Sequence, residues 1–208
     1  MIQIEMIVAG VYAMNCYIVH CDETNEGFVI DPGGSENKII NYIVEKGIHL
    51  KGILMTHAHG DHHMGLAGLK AVYPVPVYLH ASDKYMAEDA AINLSNTMYG
   101  PDSVFTPEVN LQDGMKIPFG NGFIRTIHTP GHTKGGVCYL IDKYLFTGDT
   151  LFESSVGRTD LDGGNDVQLI KSIKNQLLKL SDDVIVLPGH GGASTIGRER
   201  VRNPYLVR

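Results

Sequence analysis

The sequence predicts a layered α/β fold. Short apolar segments of strand-like composition recur along the 208 residues, and a few segments with helical periodicity separate them. Because every sheet must cover its apolar face with another layer, strands interspersed with helices favour layered α/β packing. A hydrophobic content of 43% is sufficient for one sizeable core, so one domain over residues 1–208 is expected.

The first part of the chain is predicted to form three strands and a helix. The strands are expected at residues 3–8, 15–20 and 27–31, each closed by turn or polar residues. After the turn at 31–34 the apolar spacing becomes helical, with Ser35 as the N-cap and Gly47 as the end of the helix. One helix face is expected to carry Ile39, Ile40, Ile43 and Val44. A buried strand at 52–56 follows.

The remaining segments alternate between the two types. Helices are expected at 66–71, 82–96 and 166–180. Glycine and proline separate the strands, which are expected at 75–80, 109–111, 115–117, 123–127, 137–141, 144–146 and 184–187.

Charge and composition exclude several classes of partner. The net charge is −6, and no run of Lys or Arg could follow a phosphate backbone or an anionic membrane. Residues 1–10 lack the pattern of a secretory signal, and no segment is apolar for the length of a membrane span. The cysteines, Cys16, Cys21 and Cys138, have no paired spacing, which is compatible with a reducing compartment, and Cys16 and Cys138 are interpreted as buried thiols. A cytoplasmic protein that acts on a small molecule, with no nucleic acid or membrane partner, is expected.

A cluster of candidate metal ligands follows the predicted strand at 52–55. It contains three imidazoles and one carboxylate within six positions, His57, His59, Asp61 and His62. Loops at strand ends often carry function, because a rigid strand delivers side chains that the loop leaves exposed. His and Asp suit zinc and similar metals, and no Cys accompanies them as in many closed structural zinc sites. In a tight loop His57 and His59 can reach one ion together, while Asp61 and His62 turn toward a different point. One loop can thus serve two ions. The alternative interpretation is a surface turn that happens to be rich in histidine. A single His-x-His would favour this alternative, but the full His-x-His-x-Asp-His pattern favours a metal site.

Three further candidates share one context, a position after a glycine in a turn at a strand end. They are His132, Asp149 and His190. Glycine lets the backbone approach closely and adopt angles that other residues avoid, which suits a ligand held at a fixed angle. Together with the cluster, these residues complete a ligand set.

Motifs along essentially the whole chain carry a family resemblance. They are Asn-Cys-Tyr at 15–17, Asp-Pro-Gly-Gly at 31–34, the cluster at 56–65, Thr-Pro-Gly-His-Thr at 129–133, Phe-Thr-Gly-Asp-Thr-Leu-Phe at 146–152, Gly-Arg-Thr-Asp at 157–160 and Pro-Gly-His-Gly at 188–191. In these motifs the chain resembles the metallo-β-lactamase superfamily and, within it, the glyoxalase II-like (hydroxyacylglutathione hydrolase-like) hydrolases. The resemblance implies a four-layer αββα sandwich with two metals at one edge of the sheets.

The resemblance also implies a role for each ligand. The first metal would be held by His57, His59 and His132, the second by Asp61, His62 and His190, and both by Asp149. Asp61 and Asp149 are the candidate catalytic carboxylates. Asp31 either supports the site from behind its ligands or only forms a turn before proline. Two divalent ions are expected, zinc foremost, with iron and manganese as alternatives.

A two-metal centre favours hydrolysis. Two ions about 3.5–4 Å apart can share a water, lower its pKa and present hydroxide to a carbonyl. A thiolate, with a pKa of about 8.5, leaves without a strong general acid, so a thioester such as an S-acyl (glutathione) thiol is the first expectation. The chain ends at Arg208, so a glyoxalase II-like protein that lacks the C-terminal helical domain is expected. Arg158 and Asp160 either face the substrate or form an internal salt bridge.

Other functions stay open on the same fold. A persulfide dioxygenase-like enzyme with a single iron shares the His-x-His-x-Asp-His loop and the Gly-Arg-Thr-Asp segment, and a lactonase or β-lactamase is also compatible, because fold does not settle substrate. A metal-binding module without catalysis is disfavoured. Seven ligands for two ions leave coordination positions open, as catalytic sites do.

Overall fold

The computed structural model describes residues 1–207 and contains two six-stranded sheets packed face to face. The strands are β1 (Ile2–Ala9), β2 (Met14–Cys21), β3 (Glu26–Ile30), β4 (His49–Leu54), β5 (Val77–His80), β6 (Val109–Leu111), β7 (Lys116–Phe119), β8 (Gly122–His128), β9 (Val137–Ile141), β10 (Tyr144–Gly148), β11 (Leu151–Phe152), β12 (Ser155–Val156), β13 (Ile185–Pro188) and β14 (Ser194–Thr195). The α-helices are α1 (Glu36–Lys46), α2 (Leu66–Val72), α3 (Lys84–Ala87), α4 (Asp166–Ser172) and α5 (Ile196–Arg202).

The two sheets combine antiparallel and parallel pairing. The first has the order β1-β2-β3-β4-β5-β6, antiparallel from β1 to β3 and parallel from β3 to β6. The second has the order β14-β13-β10-β9-β8-β7 and is antiparallel except where β10 pairs with β13. Parallel pairing requires a crossover connection, and α1 supplies the one between β3 and β4.

Three apolar clusters separate four layers. One face of the first sheet packs on α1 and α2, through residues such as Ile53, Ile39 and Leu69. Its other face meets the second sheet, and Phe28 and Tyr139 are among the buried side chains between them. The far face of the second sheet packs on α4 and α5. This arrangement confirms the α/β class and the αββα sandwich, and it explains why β2 is buried along its whole length.

The carboxyl ends of several strands meet at one edge of the sandwich. Strands β3, β4 and β5 run parallel in the first sheet, and β10 runs parallel to β13 in the second. Across the two sheets, Val137 at the start of β9 donates its N–H to Thr56 beyond the end of β4, over 2.8 Å. Residues that follow these strands are therefore brought together at this edge.

The first predicted helix is confirmed with two corrections. Gly47 ends α1 in a left-handed conformation and donates its N–H to the carbonyls of Ile43 and Val44, as a helix-ending glycine should. Ser35 precedes the helix but is itself left-handed, and its side chain makes no capping hydrogen bond. Val44 is exposed, because the apolar face of the helix is centred on Ile39 and Ile43.

The helix predicted at 82–96 is wrong over most of its length. The segment forms a 3-10 turn at Ala81–Asp83, the short α3, and then turns. Polar side chains take backbone partners that a helix would need: Asp89 accepts the N–H of Ala91, and Asn93 accepts that of Ser95. Such local hydrogen bonds compete with helix formation.

The sequence prediction did not include the short elements near the C-terminal third. It omitted the β11–β12 hairpin, β14 and α5, and the helix at 166–180 is α4 followed by a π-helical turn at Ile173–Leu177. Cys16 and Cys138 are buried free thiols, as predicted, and Cys21 is a buried free thiol as well. Between residues 1 and 207, no helix is both long enough and apolar enough to cross a membrane.

Candidate metal centre

The structure brings all seven predicted ligands together at the shared strand edge. They form three overlapping groups, in each of which the potential ligand atoms lie within 4.8 Å of one another. The groups are His57, His59 and His132; His57, His62 and Asp149; and Asp61, His62 and His190. The three groups share residues and therefore form one continuous cluster. The three-histidine group lies at one end, the group of Asp61, His62 and His190 lies at the other, and Asp149 belongs to the group between them.

The three-histidine group has ring nitrogens that converge on one point. His132 Nε2 lies 2.9 Å from His59 Nδ1 and 3.2 Å from His57 Nε2. The opposite nitrogen of His132, Nδ1, donates a hydrogen bond to the Arg158 carbonyl over 2.7 Å, which leaves the lone pair of Nε2 facing the group. Converging lone pairs repel one another unless a cation lies among them, so this group fits a metal ion.

Asp149 lies between the two ends of the cluster. Its Oδ1 is 3.3 Å from His62 Nε2 and 3.9 Å from His190 Nε2, whereas its Oδ2 is 3.8 Å from His132 Nε2. Burial raises the pKa of Asp149, but the adjacent His62 and His132 lower it by a larger amount. The net pKa is well below the usual range, so the carboxylate is ionised. One oxygen thus faces each group.

The group of Asp61, His62 and His190 is more open to solvent. His190 Nε2 lies 3.2 Å from Asp61 Oδ2, and the two side chains are 29% and 18% exposed. His57, His59 and His132 are all buried by comparison. Catalytic metal sites keep a position open for water or substrate, and this end of the cluster provides it.

Asp31 orients two of the histidines. It accepts hydrogen bonds from the Thr56 backbone N–H at 2.7 Å and hydroxyl at 2.6 Å, and its Oδ2 also faces His62 Nδ1 at 3.0 Å. The Thr56 hydroxyl lies 3.1 Å from His57 Nδ1. Both rings therefore have their Nδ1 engaged and direct Nε2 into the cluster. Of the two interpretations of Asp31, the structure selects the supporting role.

Asn15 and Tyr17 hold the loop that carries His190. The Asn15 side chain donates to the carbonyls of Pro188 and Gly191 over 3.1 and 2.9 Å, and the Tyr17 hydroxyl donates to Pro188 over 2.8 Å. Strand β2 of the first sheet is thereby joined to the end of β13 in the second. The Asn-Cys-Tyr motif thus has a structural explanation.

Two orphaned buried atoms support metal binding at the other end. His62 Nε2 and Asp149 Oδ1 lie 3.3 Å apart, but neither makes a hydrogen bond of good geometry with any described residue. Buried polar atoms are normally satisfied, and each of these would be satisfied by binding a cation. Burial, followed by the charge of His132, lowers the pKa of His59 to about 3, so this ring is neutral and its lone pair is available to a metal.

Several supporting residues were not identified from the sequence. Thr56, which joins Asp31 to His57, is one, and Asp83 is another. His63 is fully buried, and its Nδ1 lies 2.8 Å from the Ser103 hydroxyl. Arg158 forms a two-pronged salt bridge with Asp160, at 2.7 and 2.8 Å, as the second interpretation expected, and both side chains are exposed to solvent.

An αββα sandwich with a His/Asp cluster at its strand edge defines a metal-binding hydrolase fold. A family model described as "Metallo-beta-lactamase superfamily" matches residues 9–190. The chain therefore belongs to the metallo-β-lactamase superfamily. This assignment makes it a member of a superfamily of metal-dependent hydrolases that bind divalent ions.

Curated relatives are similar over nearly their whole length. The chain is 37% identical to "Probable metallo-hydrolase YqgX" of Bacillus subtilis, with 95% of this chain and 94% of that relative covered. It is 35% identical to "Hydroxyacylglutathione hydrolase GloC" of Haemophilus influenzae, with 98% and 97% covered.

Solved structures support the same fold. BLEG-1, a B3 metallo-β-lactamase, superimposes with a TM-score of 0.92 at 35% identity, over 99% of this chain and all of that one. TTHA1623, solved in a di-iron-bound form, gives a TM-score of 0.86 at 35% identity, with 97% of this chain and all of that one covered.

Proposed function

We propose that the protein is a glyoxalase II-like thioester hydrolase that acts on an S-acyl thiol such as a glutathione thioester. The observation that carries this proposal is the position of Asp149, whose two oxygens face the two ends of the ligand cluster. The similarity to the hydroxyacylglutathione hydrolase of H. influenzae, which is of nearly equal length, supports the substrate class.

Two divalent ions, zinc foremost, would occupy the cluster in this proposal. His57, His59 and His132 would hold one, Asp61, His62 and His190 would hold the other, and Asp149 would bind both. The ions would lower the pKa of a bound water and polarise the carbonyl of the substrate. The neighbour that was solved with two irons keeps iron as an alternative to zinc.

The residues of the chain position the reactants. Asp61 directs Oδ2 toward His190, which leaves its other oxygen to orient the attacking water at the exposed end of the cluster. Asp31 and Thr56 keep the rings of His57 and His62 in place throughout, so little reorganisation is required when charge develops on the substrate. The thiolate then departs without a dedicated acid, because its pKa of about 8.5 is close to neutral pH.

Removal of metal by a chelator should abolish hydrolysis and leave the fold intact. The three apolar clusters form the core without the metal ligands, so the folded state should not depend on the ions. We would measure circular dichroism and thermal unfolding of the chelated protein, and the rate after zinc is restored. Cooperative unfolding of the chelated protein at room temperature would make the ions structural and contradict the proposal.

The substrate class is tested by metal analysis together with a substrate panel. The protein as purified would be analysed for zinc, iron and manganese, and then assayed with S-lactoylglutathione, other thioesters and lactones. The proposal expects about two ions per chain and the highest kcat/KM on thioesters. About one iron per chain, with oxygen uptake on a persulfide, would instead establish the dioxygenase-like alternative, and a preference for lactones would replace the substrate class.

A further inference from the structure

Asp83 is a buried carboxylate that lies outside the predicted ligand set. It ends the 3-10 turn Ala81–Asp83, which follows the carboxyl end of β5, and its exposure is 0%. Strand β5 pairs with β4, which precedes the His57 loop. The side chain therefore reaches the cluster from the neighbouring strand of the same sheet. A buried carboxylate is costly unless hydrogen bonds compensate it, so its partners indicate why it is there.

The hydrogen-bond partners of Asp83 belong to the loop that carries His132. Its Oδ2 accepts the Thr133 hydroxyl at 2.7 Å, and its Oδ1 accepts the Gly135 N–H at 2.6 Å. Thr133 directly follows His132. The turn that contains Asp83 follows β5, whose neighbour β4 leads into the His57 loop. One side chain thus fixes the His132 loop to the strand beside the His57 loop.

The local structure leaves room for this carboxylate. A Cβ atom at Gly135 would lie 2.7 Å from the backbone nitrogen of Asp83 and 2.8 Å from its carboxylate. Only glycine permits this approach, so residue 135 and Asp83 are matched to each other. The contact is built from two distant parts of the chain rather than within one turn.

We propose that Asp83 is a positioning residue that holds the His132 loop against the turn after β5, beside the His57 loop, and so sets the metal affinity of the three-histidine group. The proposal rests on the ligand set of the proposed function, but not on its substrate. Its effect should be confined to one end of the cluster, because the hydrogen bonds of Asp83 reach the His132 loop and, among the described residues, none joins it to Asp61, His62 or His190.

Two residues provide matched controls. Glu199 is also 0% exposed and accepts hydrogen bonds from Ser154, Ser194 and Asn203, none of which is a ligand or the direct neighbour of one. Glu199→Ala therefore removes a buried carboxylate, as Asp83→Ala does, but one that does not contact the His132 loop. Asn15 holds the His190 loop instead, so Asn15→Ala should weaken the opposite end of the cluster.

The experiment titrates chelated full-length protein with Zn²⁺ and, separately, with Co²⁺, whose visible spectrum reports its coordination. Asp83→Ala should lower the affinity of the three-histidine group by about 10- to 100-fold, the range found when partners of metal ligands are removed. The affinity for the other ion should change much less. Measurement in the His190→Ala background isolates the ion of the three-histidine group, because His190 belongs only to the other group. Glu199→Ala should lower the unfolding temperature but leave both affinities unchanged.

The conservative variant separates positioning from stability. Asp83→Asn keeps an oxygen that can accept from Gly135 and an amide that can donate to the Thr133 hydroxyl, so it should restore most of the affinity. If Asp83→Ala does not fold, Thr133→Val removes a single hydrogen bond and should lower the same affinity more mildly. Unchanged affinity in these variants, or equal losses at both ends of the cluster, would overturn the proposal. Because metal binding is measured directly, a failure of the thioester assignment would leave this result interpretable.

Discussion

Asp149→Ala should lose both metal ions and nearly all hydrolysis. The two oxygens of Asp149 face opposite ends of the cluster, at 3.3 Å from His62 Nε2 and 3.8 Å from His132 Nε2. Alanine can bind neither ion, and it leaves the facing histidines without the negative charge between them. Metal content should fall well below about one ion per chain, and the rate should fall by on the order of 10³-fold or more, since electrostatic stabilisation is lost with the ions.

His190→Ala is the matched control for the bridging assignment. His190 belongs only to the more exposed group, so the three-histidine group should keep its ion in this variant. Metal stoichiometry would be measured for both variants and the unmodified protein under the same metal supply. The bridging role requires a larger loss in Asp149→Ala. Equal single-ion losses, or full occupancy in Asp149→Ala, would refute the shared carboxylate and favour a mononuclear site.

Much of the fold could be predicted from local sequence, because its strands and longer helices have their own periodicity. Strands β6 and β9 coincide with the predicted ranges, and α1 ends at Gly47 as expected. The segment at 82–96 could not be predicted in this way. Its backbone is shaped by hydrogen bonds between Ser103 and the side chains of Asn93 and Ser95, which apolar periodicity does not indicate.

The same distinction applies to the site. The candidate ligands share a visible pattern, a His or Asp in a turn after a strand, and the structure brings all seven together. Their supporting residues have no such pattern. Asp83 is a single carboxylate whose partners, Thr133 and Gly135, are 50 and 52 residues away. The pairing of β10 with β13, which places Asp149 beside His190, is also long-range. Only the three-dimensional structure reveals these contacts.

Gly157→Ala should damage the metal centre without removing a ligand. A Cβ atom at this position would lie 1.8 Å from the Asp149 carbonyl oxygen and 3.2 Å from His132 Nδ1. Because a carbonyl of the backbone cannot yield as a flexible side chain can, the Asp149 segment must shift. Such overpacking costs about 1–3 kcal/mol of stability. A displacement of about 1 Å at the reacting groups can reduce the rate by about 10²-fold.

Gly122→Ala tests whether the effect of Gly157→Ala comes from this collision. Gly122 begins β8, and an added Cβ there would meet only the Phe119 carbonyl, at 4.0 Å. Metal stoichiometry, thermal unfolding and the rate on a thioester would be measured for both variants. Gly122→Ala should match the unmodified protein in all three, whereas Gly157→Ala should bind metal more weakly and lose about 10²-fold in rate. A Gly157→Ala protein with full metal content and an unchanged rate would show that the Asp149 segment tolerates displacement, and the tight packing behind the cluster would then have no part in its function.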